Sequence, residues 1–543
     1  MLLGKLVEVV SLAGWATVLS TLVATYVSGV VIYRLYFHPL AKYPGPFWAK
    51  ISGFPAHYHT QKRNRHIWLH SLQEKYGPTF RYTPNSVLFN TPSGYQQIFN
   101  PKANVGKSEY YETYVRTPGA FTTWNATSKD IHARKRRVLT NCFSDKAIRN
   151  AEPYIHQNLD RWCGLLQDEI DKNGGEWTQS LNMADWSNNL IFDILGDLCF
   201  GKSFDMKEPG SELRFVPELM ATFLCVMHPI AFSPFAPLWI WLKPRGLDAL
   251  LAATAPPALA NWGGFVAKCF EDRTKVEEDL KKNPRPESEI RKDFFHYLFG
   301  AIDPETGKPG YTLPELAGET EMMLVAGSDT TSITTAAAIF YLVRNPDVQS
   351  RLATELRGMF DGPEDIKAGP RLQNDCKYLQ AFIKEVLRVS SPAPAEMGRV
   401  VLKGGTVVEG DYLPEGIKAS TSAYCMHHSP ELYEKPFEFR PERWIVGEKD
   451  STAETVARAE SGYMPFSTGP RGCIGKNLAY LEMSLVVGKL VHGFELKQDP
   501  KSNNLGGGRP DMEEGRQDPE QYQLYEIFAA MRDGPMVQLK RRD

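Results

Sequence analysis

Pro465–Asn477 reads PFSTGPRGCIGKN, and its one thiol, Cys473, follows Arg471 by two residues and stands just ahead of an apolar run. Gly469, Gly472 and Gly475 surround it. Glycine at that density lets the backbone approach something flat and bulky, or take a positive φ. The continuation IGKNLAYLEMSLVVGKLV has the spacing of an amphipathic helix, so the sulfur sits at a helix N-terminus, whose partial positive charge favours thiolate. Arg471 adds a cation. The setting suits a ligating or nucleophilic sulfur rather than a structural one. A Walker phosphate loop is excluded twice, because Pro470 stands where its first glycine belongs and Asn477 where it needs Ser or Thr. A catalytic cysteine partnered by His132, His427, His428 or His492 stays open on spacing alone.

Upstream, Thr312 and Glu315 have capping-box spacing, Pro314 fits a first turn, and no further proline occurs before Pro346. The spacing predicts a helix over Leu313–Asn345, about 50 Å long and able to cross a whole domain. Its middle, AGSDTTSITT, combines a glycine with a run of hydroxyls that compete for backbone hydrogen bonds, so a bend or local opening is expected there. Asp329 and Thr330 form an acid–alcohol pair in an otherwise apolar helix, which is costly unless it is used. A second helix is expected over Tyr378–Pro392, with Glu385 and Arg388 three apart on one face. The irregular FEFRPERW, Phe437–Trp444, offers Arg443 as a third member of a buried Glu–Arg–Arg cluster.

The chain of 543 residues carries 62 basic and 64 acidic side chains, a balance that points away from nucleic acid. Its eight cysteines are scattered with no CxxC, which argues against a zinc ribbon or a disulfide framework. Val9–Tyr33 runs 25 residues without a charge, enough to span a bilayer and too long for a signal-peptide core. Lys5 precedes it, whereas Arg34, Lys42, Lys50, Lys62, Arg63 and Arg65 follow, so the positive-inside rule puts the body of the protein in the cytoplasm. Pro39, Pro44 and Pro46 predict a stiff, non-helical connector over 34–50, leaving 51–543 as one catalytic domain behind an anchor of residues 1–33. Helical spacing dominates that domain, with strand-like pieces at PTFRYTP and SVLFNT. The fold class expected is mainly α with a small β lobe.

Phe466, Gly469, Arg471, Cys473 and Gly475 fit FxxGxRxCxG, and with AGSDTT, the Glu385/Arg388 pair and Arg443 in PERW in the same order, the chain resembles the cytochrome P-450 haem-thiolate monooxygenases. The stretch YRLYFHPLAKYPGP after the span is similar to fungal microsomal members. The resemblance implies haem b as cofactor, with Cys473 as the iron's thiolate ligand and Phe466 beside it. It makes Glu385, Arg388 and Arg443 a structural lock, and Asp329 and Thr330 the pair that feeds protons during dioxygen activation, with Ala326 and Gly327 leaving room above the ring. Arg471, Arg399, Arg136 and His132 are the implied contacts of the haem propionates, and some of the basic run Arg134–Arg137 is assigned to docking an acidic electron donor. The implied partners are NADPH–cytochrome P-450 reductase, dioxygen, a membrane and a lipophilic small molecule, on an endoplasmic reticulum enzyme with a single span and a cytosolic catalytic domain. PERW in place of the commoner PERF, and His428 after His427, depart mildly from the family pattern.

The expected reaction is NADPH-driven insertion of one oxygen atom into a lipophilic substrate, a hydroxylation or epoxidation in fungal secondary metabolism. The alternatives are a haem-thiolate isomerase or dehydratase that uses no external electrons, and a haem-binding redox sensor without turnover. The intact Asp329–Thr330 pair argues against both. By position, Ser108–Trp124, Phe223–Trp241, Met322–Ala326, Ser391–Met397 and Phe528 are expected to line the substrate pocket.

Overall fold

The computed structural model describes residues 2–115 and 119–542, with side chains from Gly14 onward. Helix accounts for most of it. The helix predicted from its cap runs Leu313–Arg344, and Thr312 and Glu315 make the reciprocal capping-box bonds. It forms the axis of the larger hydrophobic core and packs most extensively on Met183–Phe200. A Cβ at Gly327 would come within 3.0 Å of Leu195 Cδ1 on that neighbour, so this glycine permits close approach of two helices. Gly327 thus serves a helix contact besides the room above a cofactor expected of it, and it keeps accessible surface next to exposed Ala326. The helix is also continuous through AGSDTT, without the expected opening. Thr330 and Thr334 hydroxyls donate to the carbonyls one turn back, of Ala326 and Thr330, at 2.8 and 2.9 Å, and so satisfy themselves locally.

The β lobe is built on a five-stranded sheet in the order Thr79–Thr83, Ser86–Phe89, Lys418–Ser420, Arg399–Val401, Val105–Lys107. Ser86–Phe89 pairs in parallel with Lys418–Ser420, and the other neighbours are antiparallel. A three-stranded sheet joins Leu181–Asn182, Met536–Arg541 and Phe494–Gln498 beside the central helix. The two strands read from PTFRYTP and SVLFNT are the first two of the larger sheet, and the fold is mainly α with a small β lobe, as expected.

At the N-terminus a helix extends over Leu2–Ile32, and the apolar stretch long enough to cross a bilayer is Gly14–Phe37. Trp15, Leu19, Leu22 and Tyr26 all stand exposed on it, which a helix in water avoids and one in lipid does not. The connector is more helical than its prolines suggest. A π-helical turn occupies Tyr33–Phe37 and a short α-helix Phe47–Ile51, leaving only the stretch between them irregular. Pro39 and Pro44 fall within that gap and Pro46 caps the second helix, so none interrupts a hydrogen-bonded turn. The Arg34 guanidinium donates to the Ile51 carbonyl at 2.6 Å and the Arg34 carbonyl accepts from Arg81 at 2.8 Å, tying the span to the sheet.

Candidate functional site

The cysteine loop is shaped by its backbone. Gly469 has φ +70°, and a Cβ there would fall 2.0 Å from the Phe99 carbonyl oxygen, so only glycine fits. A 3-10 turn over Gly469–Arg471 follows, and the Cys473 N–H donates to the Phe466 carbonyl at 2.8 Å before the helix Lys476–Gly493 begins. Phe466 packs on Tyr480 with ring centroids 5.3 Å apart. Burial pushes the Cys473 thiol up, against the opposing pull of the Gly475 N–H, Arg136 and Lys476. The side chain nevertheless has exposed surface. A sulfur with both properties faces interior space enclosed by protein rather than bulk water. On the central helix Ala326 has exposed surface while Met323, Leu324 and Ser328 are buried, so that helix too opens on an interior space.

Four cations and an imidazole meet beside the loop. Lys107 and Arg399 are directly opposite each other on adjacent antiparallel strands, a like-charge pairing that destabilises a sheet unless something negative lies between. Arg136 donates to the Gly472 carbonyl at 2.8 Å, Arg399 to the Met397 carbonyl at 3.1 Å, Arg471 to the carbonyls of Ala126, Thr127 and Ser128, and Lys107 to that of Trp124. Among the described residues none of these four makes an ion pair with a carboxylate. Their mutual field is visible in His132, which burial, then Arg471, Lys107, Arg136 and Arg399, hold down to about 3. Lys107 is depressed well below its usual range by burial and by Arg399, Arg471 and Arg136.

The structure thus brings His132, Arg136, Arg399 and Arg471 together, and adds Lys107, which no motif in the sequence marks. Arg471 points away to the Ala126–Ser128 backbone, and the cations that act on Cys473 are Arg136 and Lys476, not Arg471 as the sequence order suggested. The rest of the basic run is consumed internally: Arg134 and buried Lys135 pair with Glu315, and Arg137 with Asp303 and Glu305. It is therefore no open docking patch. One sulfur beside a ring of uncompensated cations fits a flat metal-centred ligand with two carboxylate tails, the shape and charge of haem.

Behind the loop, Glu385 is fully buried and fully bonded. Arg388 donates to both its oxygens (2.9 and 2.8 Å), Arg443 Nε at 2.8 Å, the Arg440 N–H at 2.9 Å and Trp444 Nε1 at 2.9 Å. These donors hold its carboxyl down to about 2 in spite of burial. The Trp444 bond is one that phenylalanine in PERF lacks. Arg388 Nη1 reaches the His427 carbonyl at 2.7 Å, and His427 Nε2 accepts the Met464 N–H at 3.0 Å, so the lock is wired to the first residues of the loop.

Asp329 is partly buried, and desolvation raises its carboxyl against the pull of Arg532, whose Nη1 lies 3.2 Å from Oδ1. Arg532 also donates to Ser332 Oγ (2.6 Å) and to Asn188. Nothing in the sequence linked residues 329 and 532. A cavity of about 450 Å3 begins near Arg34 and Phe54, at the foot of the apolar N-terminal helix, and reaches Ser108, Tyr111, Met397 and Phe528. Phe528 holds φ +93°, a conformation an aromatic residue rarely takes, and there it meets the rings of Tyr110 and Trp124 at centroid distances of 6.0 and 5.0 Å. Parts of the expected linings Ser108–Trp124, Phe223–Trp241 and Ser391–Met397, and Phe528, wall this cavity, whereas Met322–Ala326 does not. Residues 116–118 of the first stretch lie outside the described residues.

A sequence model described as "Cytochrome P-450" matches residues 43–506. Among curated proteins, the cytochrome P-450 monooxygenase apf7 of Gibberella fujikuroi is 34% identical over 529 residues, covering 95% of this chain and 96% of its own. AKT7 of Alternaria alternata, another cytochrome P-450 monooxygenase, is 32% identical over 97% of each chain. A third, atnE of Emericella nidulans, is 34% identical over 94% of this chain and 93% of its own. With the cysteine loop, the buried Glu–Arg–Arg lock and these matches agreeing over nearly the whole length, this chain belongs to the cytochrome P-450 family of haem-thiolate monooxygenases.

Proposed function

We propose that the protein inserts one atom of dioxygen into a bulky lipophilic substrate, by hydroxylation or epoxidation, with electrons from NADPH delivered by NADPH–cytochrome P-450 reductase. The observation that carries this reading is Cys473 on its glycine loop beside four cations that lack acidic partners. Cys473 is assigned as the thiolate that would ligate the iron of haem b, and Lys107, Arg136, Arg399 and Arg471, with His132 as a neutral donor, as the groups that would hold its propionates. When bound, the haem supplies the redox and oxygen-transfer chemistry. The chain supplies the rest. The Phe466 carbonyl, which takes the Cys473 N–H, holds the loop in place, and the Gly475 N–H moderates the charge of the sulfur, as neighbours of a ligating thiolate do.

Asp329 is assigned as the proton carrier on the opposite side. Burial favours its neutral form, Arg532 holds the charged form within reach, and a carboxyl poised between the two both gives up and regains a proton. Thr330, on the next residue, is the hydroxyl assigned to pass that proton on. The aromatic cavity leading from the membrane helix is assigned as the substrate's route, which fits an anchor at residues 1–33, a connector at 34–50 and a catalytic domain at 51–543 on the cytosolic face of the endoplasmic reticulum. Relatives named as monooxygenases in three fungi support a place in fungal secondary metabolism.

The test is the absorbance difference spectrum of the dithionite-reduced, CO-treated protein beside Cys473→Ser. A strongly red-shifted Soret band that vanishes in the variant is expected. Haem bound without that band in the wild type would overturn the assignment of Cys473 and the oxygenation reading with it.

A further inference from the structure

One wall of the cavity holds a charge cluster for which oxygenation has no use. The fully buried Arg65 guanidinium donates to Glu526 Oε1 through Nε (3.0 Å) and Nη2 (2.6 Å), pairs through Nη1 with Glu396, and lies 3.6 Å from the centre of the Phe232 ring. Glu526 is saturated, since it also takes the His66 N–H at 3.0 Å and His228 Nε2 at 3.2 Å. His228 Nδ1 in turn accepts the Tyr110 hydroxyl at 2.8 Å. Burial keeps both imidazoles low and therefore neutral, which leaves Arg65 as the one permanent cation between Glu526, whose carboxyl its partners hold well below the usual range, and Glu396, whose carboxyl burial raises while Arg65 pulls it back down.

Glu396 is the member left short. Arg65 and Tyr82, the latter at 2.9 Å, both donate to its Oε1, while Oε2 is buried without any hydrogen-bond partner. A buried acceptor left unpaired is costly, and Glu396 is among the residues that line the cavity. We propose that the cavity's ligand carries a hydrogen-bond donor, an alcohol O–H or an amide N–H, that pairs with Glu396 Oε2, so that this enzyme selects substrates already bearing such a group over the matching ketones and ethers. The inference rests on the reading of the cavity as the substrate's route. A ketone or ether there would set lone pair against lone pair, and a carboxylate would meet a wall with an excess of acid. The reaction that precedes this one is accordingly one that leaves an alcohol or amide on the skeleton.

The experiment uses the full-length, haem-loaded protein and equilibrium dialysis of one probe pair, testosterone and androstenedione, which differ by an O–H in place of C=O. The wild type is expected to bind the alcohol at least about tenfold tighter than the ketone. In Glu396→Gln the two donors Arg65 and Tyr82 keep the amide oxygen where Oε1 was, which places the NH2 group where Oε2 was, and the preference reverses. Glu396→Asp, which retracts the carboxylate and keeps its charge, is expected to lose the preference without reversing it. Equal binding of the pair by the wild type, a preference unchanged in both variants, or no binding of either probe overturns the proposal. Should a variant fail to fold, the wild-type ratio still decides. A normal reduced-CO band on a preparation without donor preference sinks this inference alone, while a donor preference without that band sinks the oxygenation reading alone.

Discussion

Glu385 and Glu482 lie on helices packed against each other, Lys377–Val389 and Lys476–Gly493, and both are buried, yet at neutral pH the first is charged and the second neutral. Glu385 sits among two guanidinium groups, an indole N–H and a backbone N–H, and its carboxyl is held down to about 2. Glu482 has the Thr331 hydroxyl on the central helix, one oxygen without a partner, and no cation, and burial pushes it up to about 8. Burial alone raises an acid; the donors around it decide whether it stays charged. The cysteine loop is therefore backed by a fixed ionic lock, while the interface of the loop's helix with the central helix holds a neutral acid.

The largest break in this contrast is expected from Glu385→Ala, which strands two buried guanidinium groups. It should cost about 3–5 kcal/mol in denaturant unfolding and reduce haem retention; a loss under about 1 kcal/mol would mean the lock is not what holds the loop. Trp444→Phe removes one donor to the same carboxylate and restores the commoner family residue. Its expected cost is about 1.5–3 kcal/mol, measured the same way, with the reduced-CO band intact.

The pH dependence sharpens the other side. Because the Glu482 carboxyl is raised in the folded state, the folded chain keeps a proton that the unfolded chain releases above about 4.5, and stability contributed by the protonated form is lost as pH rises toward about 8. The slope is at most about 1.4 kcal/mol per pH unit, and Glu482→Gln should flatten it in unfolding curves taken between those limits. Glu385 has the reverse sign, its contribution being lost only as pH falls from about 4.5 toward 2. The smallest effect is expected from Lys384→Met at the solvent edge of the lock, where the ammonium lies 5.4 Å from the centre of the Trp444 ring. Its partner Glu460 is half in solvent, and less than about 1 kcal/mol should be lost, at any pH near neutrality.

The reading of PERW illustrates how far motifs reach. The sequence marked Trp444 as a departure from the family without assigning it a role, because an indole N–H has no preferred sequence distance from its acceptor; only the packing puts Nε1 2.9 Å from Glu385. The basic run Arg134–Arg137 misled in the opposite way. As a string it is a positive patch, but Glu315 from the first turn of the central helix and Asp303 and Glu305 from the loop before it pair with Arg134, Lys135 and Arg137.

What the sequence by itself determined was local: the glycine that must take φ +70° before Cys473, the capping box and proline-free run that make a 32-residue helix, the Glu385–Arg388 pair one turn apart, and the charge-free run Val9–Tyr33 of the N-terminal helices. Each depends on backbone geometry within a few residues, which spacing encodes directly. Only the tertiary structure decided that Lys107 faces Arg399 across two strands, that Arg532 reaches Asp329, that Gly327 serves a helix contact with Leu195, and that Arg65 joins Glu396 to Glu526. Those pairs are set by strand register and helix crossing between segments far apart in the chain, where the positions of charges follow from packing and no periodicity records them.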